Sequence, residues 1–254
     1  MDRSSPTPAT QSAVFSPFTK LDGERRHGLL LLADHASAAL PAAYGTLGLG
    51  PDQLIRHIAY DIGIKGVVTR LHQLLDVPVV MAEFSRLLID PNRGEEDPTL
   101  IMRLSDGAVV PGNAHVDADE AERRKALYYR PYHQAIDDEI DNFLDEGITP
   151  VLLSLHSFTD DWRGMRRPWH AGVLWDEDAR LVEPLLAALR AEPELVVGDN
   201  EPYTGRLEGD CMNRHGTQRG LAHALLEIRQ DLIADETGQQ EWAERIVRVV
   251  SQIR

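Results

Sequence analysis

The 254-residue sequence is short of cysteine, of positive charge and of long apolar runs, and each shortage narrows what it can be. Its single cysteine, Cys211, cannot close an intramolecular disulfide, which removes disulfide-stapled scaffolds and fits a reducing compartment. Lys and Arg number 26 against 41 Asp and Glu, for a formal net charge of −15. Phosphate backbones need a basic surface, so nucleic acid is not an expected partner. No apolar run approaches the ~20 residues that span a bilayer, so no membrane partner is expected. The opening stretch, MDRSSPTPATQSAVFSPF, is rich in Ser, Thr and Pro and has no apolar signal core. Residues 1–22 are expected to form a flexible leader, residues 23–254 a single domain, and the protein is expected to be cytoplasmic. Three motifs are also missing. Without H-E-x-x-H or a Cys-rich pattern, a metal would need ligands dispersed along the chain. Without a G-x-S-x-G elbow, serine nucleophile chemistry has no support.

Against these absences stands residues 28–37, GLLLLADHAS, where four leucines end abruptly in Asp34 and His35. A short apolar run bounded by Gly28 and a polar cluster suits a strand buried on both faces, with His35 at its carboxyl end. Open α/β sheets place their ligands at such ends. Residues 150–160, PVLLSLHSFTD, repeat the grammar and deliver His156; residues 223–231, HALLEIRQD, deliver Glu227 and Arg229. Further strands are expected at residues 77–82, 171–175 and 195–197. Helical spacing marks residues 51–75, with a break near Asp61 where Gly63 and Gly66 weaken it. It also marks 118–146, interrupted by Pro131, then 177–191 and 239–253. About six strands alternating with helices predict a three-layer α/β fold with a mostly parallel sheet. Residues 90–116 have little periodicity, and so long an irregular stretch points to a binding loop or a lid.

Two imidazoles and a carboxylate from three strand ends have the chemistry of a metal-dependent hydrolase. Catalytic zinc takes two or three His or carboxylate ligands and keeps a position open for water. A free carboxylate beside it moves the proton to the leaving amine. Asp61, in HIAYDIG, is the third-ligand candidate, and Asp34 could instead ligate or orient an imidazole. Arginines in loops near strand ends, Arg86, Arg93, Arg166, Arg167 and Arg229, suit a small anionic substrate, because the guanidinium fork grips carboxylates and can stabilise an oxyanion. His133, in YYRPYH, is a further candidate to touch substrate.

Taken in order, DHAS, HIAYDIG, SRLLIDPNR, YRPYH, LLSLHSFT, RRPW, NEPY and LLEIRQDLI resemble the N-formylglutamate amidohydrolase family, over about residues 28 to 245. The resemblance implies a phosphorylase/hydrolase-like fold related to zinc exopeptidases. It implies hydrolysis of an N-acyl amide, typically N-formyl-L-glutamate to formate and glutamate, late in histidine breakdown. His35 and His156 would then hold one zinc ion, with Asp61 as a further ligand. Related exopeptidases carry a ligating glutamate where this chain has Ala38, which is why Asp61 matters. Glu227 would be the general base and Arg229 a catalytic partner. Arg86, Asn92, Arg93, Arg166, Arg167, His133, Asn200 and Tyr203 would face the substrate. A cell-wall amidase and a non-catalytic sensor of an acylated amino acid are the alternatives.

Overall fold

The leucine run is buried at every position in the computed structural model, which describes residues 15–252. A strand with no exposed face needs cover on both sides, and the rest of the chain supplies it. In chain order the strands are β1 (Phe18–Leu21), β2 (Leu29–Ala33), β3 (Val79–Ala82), a small hairpin of β4 (Leu104–Ser105) and β5 (Ala108–Val109), β6 (Val151–Phe158), a second hairpin of β7 (Asp161–Trp162) and β8 (Met165–Arg166), β9 (Ala171–Leu174), β10 (Val197–Asp199) and β11 (His223–Arg229). The helices are α1 (Pro51–Leu54), α2 (Ile64–Leu75), α3 (Ala118–Arg124), α4 (Arg130–Asp145), α5 (Ala179–Ala191) and α6 (Glu236–Gln252).

Seven strands form one sheet in the order β1-β3-β2-β6-β11-β9-β10. The pairings β3–β2, β2–β6, β6–β11 and β9–β10 are parallel; β1–β3 and β11–β9 are antiparallel. The sheet is thus mostly parallel, as expected, although β9 and β10 run against their central neighbours. On one face, Leu31, Leu153, Leu155 and Leu226 pack against α2, α5 and α6. On the other, Leu30, Leu32, Leu152 and Leu225 pack against α4 through Tyr132, Ile136 and Phe143. Period-two alternation then assigns the polar residues: Asp34, Ser154, His156 and Glu227 continue the parity of the α4-side leucines.

Several local expectations change. Residues 18–21, expected within the flexible leader, form the edge strand β1 and pair with β3 from Phe18↔Ala82 to Leu21↔Val79; residues 1–14 of that leader lie outside the described residues. The helical stretch at 51–75 does break near Asp61 as expected, into α1 and α2, leaving Asp61 in the loop between them. Gly63 closes that loop with φ 84°, and a Cβ there would meet the Ile233 carbonyl at 2.1 Å. Pro131 does not interrupt the long helix. A π turn at Lys125–Tyr129 precedes it and joins α3 to α4, widening the backbone where the proline ring would crowd the preceding turn. The strand expected at 195–197 sits two residues later, as β10. Among the described residues, no helix is long and apolar enough to cross a membrane.

Candidate active site

The carboxyl ends of β2, β6 and β11 do converge. Glu227 pairs with His156 in the β11–β6 register. His35 follows β2 directly, and its ring centroid lies 5.0 Å from that of His156 in an edge-on arrangement. Asp61 is drawn in by its own backbone, its N–H donating to the His35 carbonyl at 2.9 Å. Asp61 Oδ2 then lies 2.9 Å from His156 Nδ1 and 3.4 Å from His35 Nδ1. Ligand atoms of His35, Asp61 and His156 all fall within 4.8 Å of one another, and all three residues are buried.

Each imidazole is held from behind by a different buried acid. Asp90 Oδ1 lies 2.7 Å from His35 Nε2, and Asp34 Oδ2 lies 2.9 Å from His156 Nε2. Asp34 is itself fixed by hydroxyl groups, accepting from Tyr132 at 2.7 Å and Ser154 at 3.1 Å. Arg86 donates to Asp90 Oδ2 through Nη2 at 2.9 Å, and its Nη1 lies 3.6 Å from Asp61 Oδ1. Burial pushes all three aspartates up, but their cationic neighbours win. Arg86 and His35 hold Asp90 well below the usual carboxylate range, His156 does so for Asp34, and both imidazoles do so for Asp61. An ionised Asp90 only accepts, so His35 Nε2 donates to it and Nδ1 is the ring nitrogen turned inward. That Nδ1 is buried with no hydrogen-bond partner. Burial alone would lower His156, yet the bonds to Asp34 and Asp61 raise it well above its ordinary value.

This arrangement fits a divalent metal. Two inward nitrogens and a carboxylate oxygen are a zinc-type donor set, and the carboxylate behind each ring is the outer support that metal-ligating histidines use. One side stays open, onto a cleft of about 270 Å³. Glu227 lines that cleft with one carboxylate oxygen, Oε2, unpaired and buried. Burial raises its pKa to about 7, the range in which a carboxylate can both take and return a proton near neutrality.

Of the other residues singled out from sequence, Arg86, Asn92, Arg93 and Tyr203 line the cleft. Arg166, Arg167, Arg229, His133 and Asn200 do not. Arg229, expected beside Glu227, turns away to Asp231 at 2.7 Å and the Trp169 carbonyl. Arg166 is exposed on β8. Asn200 instead caps backbone, its Oδ1 accepting from the N–H groups of Trp175 and Gly205. His133, on α4, is buried with its Nδ1 2.8 Å from His215 Nε2. Asp90 was not singled out at all, although an acid set between Ile89 and Pro91 in the run LLIDP signals a buried charge in need of a partner. Asp34 orients an imidazole, that of His156 on the adjacent strand rather than that of its sequence neighbour His35.

Fold and cleft define an α/β protein with a two-histidine, one-carboxylate centre beside a free glutamate. The sequence profile of N-formylglutamate amidohydrolase matches residues 27–234, and the chain belongs to that family, whose members hydrolyse amides. A gene product from Agrobacterium tumefaciens of known structure shares 32% identity, with a TM-score of 0.88 over 94% of this chain and 95% of that one. N-formylglutamate amidohydrolase from Ralstonia eutropha JMP134 shares the fold, with 22% identity and a TM-score of 0.70 over 94% of this chain and 99% of that one. No curated protein matches the chain.

Proposed function

We infer that the protein hydrolyses the amide bond of a small N-acyl amino acid with the help of one divalent metal, zinc being the ion this donor set favours. The observation that carries the reading is the convergence of His35, Asp61 and His156 on the floor of a cleft that also presents the unpaired oxygen of Glu227. A metal held by those three residues would supply Lewis acidity and make a water's proton easier to remove. Glu227 takes a proton from the attacking water as the water oxygen adds to the acyl carbon. When the C–N bond breaks, the same carboxyl group passes the proton to the leaving nitrogen. Arg86, clamped by Asp90, places a positive charge beside the carbonyl oxygen as it becomes negative. Arg93 holds the substrate carboxylate. N-formyl-L-glutamate, the compound that gives the family its name, is the reference substrate. Release of formate from it or from another N-formyl amino acid, or of acetate from an N-acetyl amino acid, by metal-loaded protein tests the reading. A metal-loaded protein that cleaves none of them overturns it.

A further inference from the structure

Charge around the cleft is unevenly matched. Arg86 lines it, but its guanidinium is spoken for by Asp90 and Asp61. His57 also lines it and stands 3.4 Å from Asp106, which additionally takes Arg56 at 2.7 Å. Arg93 differs. Its guanidinium bonds only neutral oxygens, the Asn92 carbonyl at 2.7 Å and Thr99 Oγ1 at 3.3 Å. Among the described residues, no carboxylate lies within 4.0 Å of it. Apart from the acids of the metal centre, the cleft carries two more, Asp106 and Asp210. One unmatched cation therefore faces a cleft that holds several anions.

Much of the remaining wall is apolar, formed by Ile58, Met102, Trp162, Leu174, Tyr203 and Leu207. Its two aromatic members are set from behind by Arg167. That guanidinium lies 4.8 Å from the Tyr203 ring centroid and 5.4 Å from the Trp162 ring, and Nη1 donates to the Tyr203 hydroxyl at 2.9 Å. Arg167 is buried and does not line the cleft, so it stiffens the wall rather than meeting a ligand.

We propose that this wall is a side-chain subsite for an uncharged, apolar residue, so that the substrate is a singly charged N-acyl amino acid whose one carboxylate meets Arg93. The inference rests on the function proposed above and adds the substrate's side chain. A second carboxylate, as in N-formyl-L-glutamate, would be desolvated against Trp162 and Tyr203 or set beside Asp106 and Asp210. Among the described residues, no second unmatched cation lines the cleft to receive it.

The test is kcat/KM, by formate release, for the N-formyl derivatives of glycine, leucine, methionine, phenylalanine and glutamate, using the metal-loaded full chain. At least one of the leucine, methionine and phenylalanine derivatives is expected to exceed the glutamate derivative by about tenfold or more, the scale of discrimination an apolar pocket provides. Glutamate equal to or better than all three overturns the subsite and leaves the amide-hydrolase reading standing. Cleavage of none of the five, or of any N-acetyl counterpart, overturns that reading and the subsite with it. Trp162→Ala is expected to lower the phenylalanine-to-glycine ratio of kcat/KM by about tenfold, and an unchanged ratio counts against the subsite.

Discussion

Among the described residues two clusters of buried metal-type ligands occur, and they are built in opposite ways. His35, Asp61 and His156 form one; His133, Cys211 and His215 form the other, and in each the ligand atoms fall within 4.8 Å of one another. In the second, the half-buried Asp137 takes His215 Nδ1 at 3.0 Å, which leaves His215 Nε2 to accept from His133 Nδ1 at 2.8 Å. The two rings spend their facing nitrogens on each other. Burial keeps His133 neutral and pushes the Cys211 thiol up, away from the thiolate a metal would need. None of the three lines the cleft. In the first cluster, each imidazole has its own carboxylate behind it and turns its other nitrogen toward a shared third carboxylate. The cleft lies open on the remaining side. The difference is one of charge and access: three buried acids surround two imidazoles beside a cleft in the first cluster, whereas one half-buried acid stands beside a hydrogen-bonded histidine pair in the second.

The contrast can be broken or sharpened by substitution. The largest effect is expected at the open side of the first cluster. Glu227→Gln should lower kcat by ~10²–10⁴-fold while metal content stays at about one per chain. Retained activity would remove Glu227 from the reaction. Next come the acids behind the rings. Asp34→Asn and Asp90→Asn should each weaken metal affinity by ~10–100-fold, measured by competition with a chelator. Asp137→Asn, the corresponding change in the second cluster, should leave that affinity unaltered; a comparable loss there would erase the distinction. A smaller effect follows from linkage. The folded-state pKa of Glu227, about 7, lies above its ordinary 4.5, so the native protein holds that proton more tightly than the unfolded chain. Its contribution to stability therefore falls as pH rises from about 4.5 through 7. In the metal-free protein, Glu227→Gln should be stabilising by ~3 kcal/mol at pH 8 and by much less at pH 4.5, read from denaturant midpoints. The smallest effect is expected of Cys211→Ser, which should leave metal content at about one per chain. Loss of metal would move Cys211 into a metal site.

The sequence made parts of this site plain and hid others for physical reasons. Strands buried on both faces announce themselves as unbroken apolar runs, which is why β2, β6 and β11 and their terminal His35, His156 and Glu227 could be found. The antiparallel setting of β9 and β10 could not, because alternation reports which face a side chain takes and not which way its strand runs. β1 was missed because four half-buried residues at a sheet edge, FTKL, carry too little pattern to stand out from a polar leader. The arginines were over-assigned. In loops rich in acids, a guanidinium bound for a substrate and one bound for a neighbouring Asp look alike. Arg229 found Asp231 two residues away, and Arg167 went behind an aromatic wall. Asp90 is hidden for the converse reason: Arg86 meets it from four residues away, but its other partner, His35, does so only after β2 and β3 pair side by side.

The central claim is that His35, Asp61 and His156 hold one metal ion. The most direct measurement is metal content after zinc loading and desalting, for the wild-type chain and for His35→Ala/His156→Ala, with folding of both checked by circular dichroism. About one zinc per chain in the wild type and essentially none in a folded double variant is the result predicted. A folded double variant that retains its zinc, or a wild-type chain that takes up none, contradicts the account.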